Sequence, residues 1–89
     1  LNSSSHLMNI FPNPASEDVA VYYSLQLNEL SKHLQLVVAD VLGKVIAQFP
    51  LNNPEGITYI PIGDFSSGIY FCMIMSGNKT LDVQKLMVK

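Results

Sequence analysis

Five prolines and five glycines interrupt this chain of 89 residues, and they constrain its fold more than any other feature. Proline removes a backbone donor and glycine is a poor helix former, so both residues punctuate regular structure. The only helix-like stretch covers residues 26–32. It is short and lies between two strand-like runs, so we interpret it as a loop or a single turn. The remaining sequence predicts strands separated by turns.

Seven segments have the alternation and the flanking turn residues of β-strands. Two of them alternate so regularly that one buried face is predicted in each, at residues 18–25 and 33–40. The predicted strands are residues 7–11, 18–25, 33–40, 44–49, 57–62, 68–75 and 80–88.

The apolar pattern also predicts which residues form the core. Residues 68–75 are apolar on both faces, which is typical of a central strand that is buried on two sides. The predicted core comprises Val19, Val21, Leu36, Val38, Val45, Ile60, Ile62, Ile69 and Phe71.

The last strand changes phase along its length. Leu81 and Val83 share one face, whereas Leu86 and Val88 share the other. A period of two residues reverses when one residue is inserted, so we predict a β-bulge near residues 84–85. The alternative is a strand with one core side and one half-covered side, which needs no bulge.

Seven short strands with turns every 8–12 residues or so predict an all-β fold, a seven-stranded antiparallel immunoglobulin-like sandwich. Residues 1–6 are rich in serine and are interpreted as the end of a linker, and residues 7–89 form one domain. The chain begins at Leu1 rather than methionine, so we expect a piece of a longer protein. We see no signal-peptide pattern in this stretch, and in an exported parent we expect the signal peptide upstream of it.

Charge and cysteine content exclude several classes of protein. Only 13% of the residues are charged, the net charge is −2, and all five basic residues are lysines. Binding of nucleic acid needs clustered basic residues, so we expect no nucleic-acid partner. No apolar run has the length of a membrane helix, and we expect no direct membrane span. The single cysteine, Cys72, excludes an internal disulfide.

The sequence offers no catalytic constellation, so we expect no enzyme, no metal site and no cofactor. His6 and His33 are far apart and have no carboxylate at metal-ligand spacing. Cys72 lies in an apolar strand, where a thiol is usually an inert small hydrophobe. Three aspartates at turns or on polar faces are interpreted as solvated: Asp40, Asp64 and Asp82.

Two local motifs predict rigid turns. The first is a corner formed by Pro12, Asn13, Pro14 and Ala15, in which two prolines flank a residue that tolerates turn geometry. The second runs from Asp40 to Gly43 and Lys44. There we expect the aspartate carboxylate to accept hydrogen bonds from turn amides, and the glycine to have a positive φ.

Two further motifs lie on strands. Gly68, Ile69 and Tyr70 open an apolar strand, where the glycine is expected to permit close backbone approach and the aromatic side chains to fill the core. The chain ends in a strand with basic residues, among them Lys85 and Lys89. Taken alone, each of the four motifs is explained by structure.

In this order and spacing, the four motifs resemble the C-terminal sorting domains of type IX secretion systems, also called the Por secretion family. The family pattern is a Pro-x-Pro-Ala corner, an Asp-x-x-Gly-Lys turn, a Gly-Ile-Tyr strand and a basic last strand. The resemblance covers about residues 8–89. The segment of residues 24–33, between the second and third strands, is longer than the family pattern has it. This departure concerns the length of the loop and not membership of the family.

The resemblance implies a targeting function without catalysis. Such a domain follows an N-terminal cargo domain in the same chain and is recognised by translocon and shuttle proteins. It passes through the periplasm to the cell surface or the medium, where a sortase-like cysteine peptidase removes it. The cargo is then anchored or released. An edge strand at residues 79–89 would offer backbone groups for strand addition to a receptor, whereas a strand with solvated lysines is the alternative.

Two other functions remain open from the sequence. A carbohydrate- or protein-binding module of an extracellular enzyme would need exposed aromatic side chains, for which Tyr22, Tyr59 and Tyr70 are candidates, although Tyr70 is expected to be buried. A structural spacer would be followed by another domain after Lys89, whereas a sorting domain would end at or near it.

Overall fold

The computed structural model describes residues 7–25 and 33–89, which form two antiparallel sheets packed face to face. All seven predicted strands are confirmed, and none of the residues described is helical. The predictions for residues 1–6 and 26–32 lie outside the described residues. The three-stranded sheet has the order β1 (Leu7–Phe11), β2 (Val19–Ser24), β5 (Glu55–Ile60), and the four-stranded sheet has the order β4 (Val45–Pro50), β3 (Leu34–Asp40), β6 (Gly68–Ser76), β7 (Lys79–Val88).

The core lies between the two sheets and confirms six of the nine predicted core residues. Alternate side chains of each strand point into it, as the period of two residues requires. Their burial removes apolar surface from water, which is the main stabilising term of a small domain. The confirmed residues are Val19, Val21, Leu36, Val38, Ile60 and Ile62.

The prediction is wrong at Val45, Ile69 and Phe71. Val45 is 46% exposed and Ile69 is 40% exposed, whereas Phe71 is half-buried. Strand β6 is central, as predicted, but its alternate residues Tyr70 and Cys72 point into the core. Ile69 and Phe71 therefore lie on the outer face, which no further layer of described residues covers.

Strand β7 contains a bulge, but not where it was predicted. Pairing with β6 is regular at residues 84 and 85, and the register shifts between Asp82 and Thr80. Leu81 is the extra residue, and it packs against the core. Val83 points outward and is 47% exposed. The phase change thus occurs three residues earlier than predicted, and Leu81 and Val83 do not share a face.

The strand register defines two opposite ends of the sandwich, which measures 37 × 23 × 22 Å. At one end, Leu7 pairs with Ser24 and Ser24 pairs with Glu55. Strand β1 runs from there to the other end, where Gly68 pairs with Val88. The chain therefore enters the sandwich at one end and finishes at the opposite end.

Candidate functional site

The four sequence motifs meet at one end of the sandwich. Asp40 pairs with Tyr70, and Tyr70 pairs with Leu86, so the turn, the Gly-Ile-Tyr strand and the last strand are neighbours in one sheet. Ala15 forms an isolated parallel bridge to Val88, which brings the proline corner to the same place. We call this the motif end: residues 12–15, 40–44, 68–70 and 85–89.

The proline corner covers the free edge of β7. The Asn13 side-chain amide donates to the Lys85 carbonyl over 2.9 Å, and its oxygen accepts from the Met87 amide over 2.9 Å. The Ala15 amide donates to the Met87 carbonyl over 2.8 Å, and the Lys89 amide donates to the Ala15 carbonyl over 2.8 Å. These four hydrogen bonds thus occupy backbone groups at the β7 edge that would otherwise be free to pair with another strand.

This arrangement bears on strand addition. Strand β7 lies at an edge of the four-stranded sheet. However, the outward backbone groups of residues 85–89 are already bonded to the corner, and the bulge at Leu81 interrupts the ladder further back. Occupied or bulged edges disfavour pairing with another chain. Strand addition at residues 85–89 would therefore require the corner to be displaced.

Replacement of Asn13 should weaken the clamp that the proline corner forms on β7 through its hydrogen bonds. Asn13→Ala removes a donor and an acceptor from two backbone bonds at an exposed site, so we expect a loss of about 1–2 kcal/mol in the free energy of unfolding. Urea unfolding would measure it. The matched control is Asn53→Ala, in an exposed connection at the opposite end. Equal losses of unfolding free energy in the two variants would contradict the stabilising role of the Asn13 hydrogen bonds.

The turn after β3 has the predicted geometry. The Asp40 carboxylate accepts from the Leu42 and Lys44 amides, each over 2.9 Å, and the Gly43 amide donates to the Asp40 carbonyl over 3.0 Å. Gly43 has a φ of 87°, which confirms the positive value that was predicted. Such a turn followed by a left-handed glycine is a common three-residue hairpin connection.

Gly43→Val should destabilise the domain by about 1–3 kcal/mol through backbone strain. No atom lies within 4 Å of the position that a Cβ would occupy, so crowding adds nothing to the loss. Gly43→Asn is the matched control, because asparagine tolerates the left-handed region better than valine. In denaturant unfolding, the Gly43→Val variant should have a clearly lower free energy of unfolding than the Gly43→Asn variant. Equal values for the two variants would show that backbone strain is not the cause.

Tyr70 lies near the start of β6 and is held there by a hydrogen bond. It is 8% exposed, as expected, and its hydroxyl donates to the Ser66 carbonyl over 2.7 Å. Its ring lies 5.1 Å from that of Phe65. Gly68 does not permit close backbone approach, because a Cβ there would meet nothing within 4 Å. Its φ of 147° is the reason for glycine at this position.

The candidates for chemistry are dispersed. Burial raises the pKa of the Cys72 thiol to about 12, so it stays protonated at neutral pH. His33 and Asp64 are exposed, and the Asp82 carboxylate accepts from the Val83 amide over 2.8 Å. Among the described residues, no three metal-ligating side chains form a group. His6 lies outside them.

A membrane-spanning helix, long and apolar enough to cross a bilayer, is not found in the part of the chain that the structure describes.

Sequence reasoning identified the corner as a turn but missed the role of Asn13. The bonds that it makes join residues 72 and 74 positions apart, and no local pattern reports such a contact. It also missed the outward-facing Val37 and Ala39. Both are buried without belonging to the core between the sheets, and the apolar run of β3 was the only signal.

Comparison with known proteins gives one result that covers nearly the whole domain. The family model described as "Secretion system C-terminal sorting domain" matches residues 9–89. A comparison with curated proteins and one with solved structures gave no match. The matched segment includes all four motifs that meet at the motif end, and the chain therefore belongs to the family of C-terminal sorting domains of type IX secretion systems.

Proposed function

We propose that this domain directs a larger exported protein through a type IX outer-membrane translocon, and that it acts as a ligand and not as an enzyme. The observation that supports this most is the convergence of the four family motifs at one end of the sandwich. Hydrogen bonds from the backbone and from the Asn13 side chain hold that end together from the corner to Lys89. A signal that is read by protein partners needs such a fixed shape and no reacting group.

The proposed partners follow from the family. Translocon and shuttle proteins would recognise the folded domain, and the N-terminal cargo domain would travel with it from the periplasm to the cell surface or the medium. A sortase-like cysteine peptidase would then remove the domain, so that the cargo is anchored or released. The domain would be the substrate of that peptidase.

A passenger assay tests the proposed function. A fluorescent protein with a periplasmic signal is fused ahead of residues 1–89 and expressed in a host that has a type IX apparatus. We expect fluorescence at the cell surface or in the medium, and periplasmic retention in the same host without its translocon. If a normally folded domain leaves its passenger in the periplasm in both strains, the sorting function is wrong.

We propose that removal cuts before β1, within or just upstream of residues 1–6. Segments without regular structure are the preferred sites of proteolysis, and the serine-rich composition of this stretch is the motivation. Mass spectrometry of the released domain should find a new N-terminus ahead of Leu7. An N-terminus beyond Asn13 would contradict this, because the cut would remove β1 from the sandwich.

We also propose that the sandwich is immunoglobulin-like. Taking the strands in chain order, the neighbours β1, β2 and β5 correspond to strands A, B and E, and β3, β6 and β7 correspond to C, F and G. Tyr70 near the start of β6 bonds a carbonyl four residues upstream, as in the tyrosine corner of that class. The departure is β4, which pairs with β3 instead of β5.

A binding module for carbohydrate is the second candidate. Phe11, Tyr22 and Tyr59 are 51%, 43% and 64% exposed, and the register places them around Ala20 on the outer face of the three-stranded sheet. Aromatic faces of this kind supply large apolar contacts. Titration with soluble oligosaccharides, observed through tyrosine fluorescence, tests it. Binding that Tyr59→Ala abolishes would favour this candidate.

A further inference from the structure

The outer face of the four-stranded sheet is mostly apolar. The register arranges its side chains in rows across the strands. One row contains Val45, Ala39, Phe71 and Lys85, and the next contains Gln48, Val37, Met73 and Val83. A third row at the motif end pairs Ile69 with Met87. We call this surface the outer apolar face.

The packing of the outer apolar face is dense at its centre and open at its borders. Val37 and Ala39 are only 4% and 3% exposed although they point away from the core, because side chains of β4 and β6 flank them. Ile69, Val83 and Met87 remain 40%, 47% and 41% exposed. An apolar patch of this kind with a polar border is typical of an interaction site.

The motif end extends this face beyond the sheet. Val41 and Leu42 are 63% and 89% exposed at the tip of the turn that Asp40 and Gly43 hold rigid. Apolar side chains on a rigid turn lose little conformational freedom when a partner covers them, and such preorganised anchors contribute strongly to affinity.

The charged side chains are distributed unequally between the two sheets. All four described lysines lie on the four-stranded sheet or its turns, and the carboxylates of Asp40 and Asp82 there accept backbone amides. The carboxylates of the three-stranded sheet and its connections are Glu17, Asp18, Glu55 and Asp64. Of these lysines, the register places Lys85 in the outer apolar face opposite Phe71, at its β7 border, whereas Lys79 pairs with Ser76 in a row that faces the other way.

We propose that the outer apolar face docks onto a protein surface with an apolar centre and an acidic rim, belonging to the translocon or shuttle. This rests on the proposed function. Lys85 at the β7 border of the outer apolar face complements acidic groups, and an apolar centre with a polar rim is the ordinary anatomy of a protein interface. A protein is favoured over a bilayer because the apolar side chains are spread across four strands, and only Val41 and Leu42 project at a tip.

The test replaces one exposed side chain on each sheet as a matched pair. The face variant is Val83→Glu, at 47% exposure, and the control variant is Ile57→Glu, at 49% exposure on the three-stranded sheet. Both are made in the passenger fusion, and circular dichroism confirms folding. We expect export to fall by about tenfold or more for the face variant and little for the control.

Cross-linking identifies the contact directly. A photoreactive phenylalanine analogue is placed at Val83 in one fusion and at Ile57 in another, and adducts in the exporting host are identified by mass spectrometry. We expect a translocon or shuttle peptide from Val83 only. Vesicles of phosphatidylcholine and phosphatidylglycerol provide the bilayer comparison, and sedimentation that depends on Val83 would overturn the choice of a protein.

The outcomes separate this proposal from the function on which it rests. If the unaltered domain exports no passenger, the proposed function fails. If the unaltered domain exports its passenger and a folded face variant does so equally well, the docking surface is wrong while the function stands. Equal losses in the face and control variants, or a Val83 adduct with no translocon or shuttle peptide, would also overturn the docking surface.

Discussion

Deletion of residues 79–89 should unfold the sandwich and abolish export of a fused passenger. The deletion removes β7, and with it the buried side chains of Leu86 and Val88. It also leaves one edge of β6 without its ladder and frees the proline corner from its four hydrogen bonds. The loss exceeds the total stability of about 5–15 kcal/mol that a small domain has.

The folded controls for that deletion are Lys85→Ala and Lys89→Ala. The corner bonds the backbone carbonyl of Lys85 and the backbone amide of Lys89, so removal of either exposed side chain should leave circular dichroism unchanged. Export should fall by a few-fold at most. A deletion variant that still reaches the medium would show that the last strand is not required.

Leu86→Ala should destabilise the domain by about 2–5 kcal/mol, because it leaves a cavity in a well-packed core. Leu86 is fully buried and pairs with Tyr70. A loss of this size is a large fraction of the stability of a small domain, so the variant should unfold at a much lower urea concentration.

Val83→Ala is the matched control on the same strand. Val83 is 47% exposed on the outer apolar face, so its truncation should cost below about 1 kcal/mol. Equal midpoints for the two variants would mean that the orientation of β7 is wrong. The pair therefore also tests the phase of the strand after its bulge.

The strands were predictable because each is determined by local alternation and turn chemistry. The inward face of β6 was not, because both of its faces are apolar and a period of two residues does not distinguish them. Its inner face contains Tyr70, Cys72 and Ile74, whereas Ile69 and Phe71 were the predicted core residues. Local sequence indicates how a strand alternates, and packing decides which side is covered.

The bulge in β7 illustrates the same limit. The change of phase between Leu81 and Leu86 predicted an inserted residue, with an unbulged strand as the alternative, but the polar residues between them fit either face. The structure places the insertion at Leu81, where the side chain gains contact with the core.

In the candidate site, too, local contacts were predictable and contacts between distant segments were not. The contacts of Asp40 and Gly43 span four residues and were predicted in detail. The clamp that Asn13 forms with β7 joins the two ends of the chain and depends on the complete fold. Its motif was recognisable, but its partner was not.

The opposite positions of Leu7 and Lys89 have a consequence for the size of the cargo. A protein attached ahead of β1 is tethered at one pole of a body whose longest dimension is 37 Å, while the motif end lies at the other pole. Under the proposed function, the bulk of the cargo is thereby held away from the motif end. We therefore expect the domain to export passengers of very different mass without a separate adaptation for each.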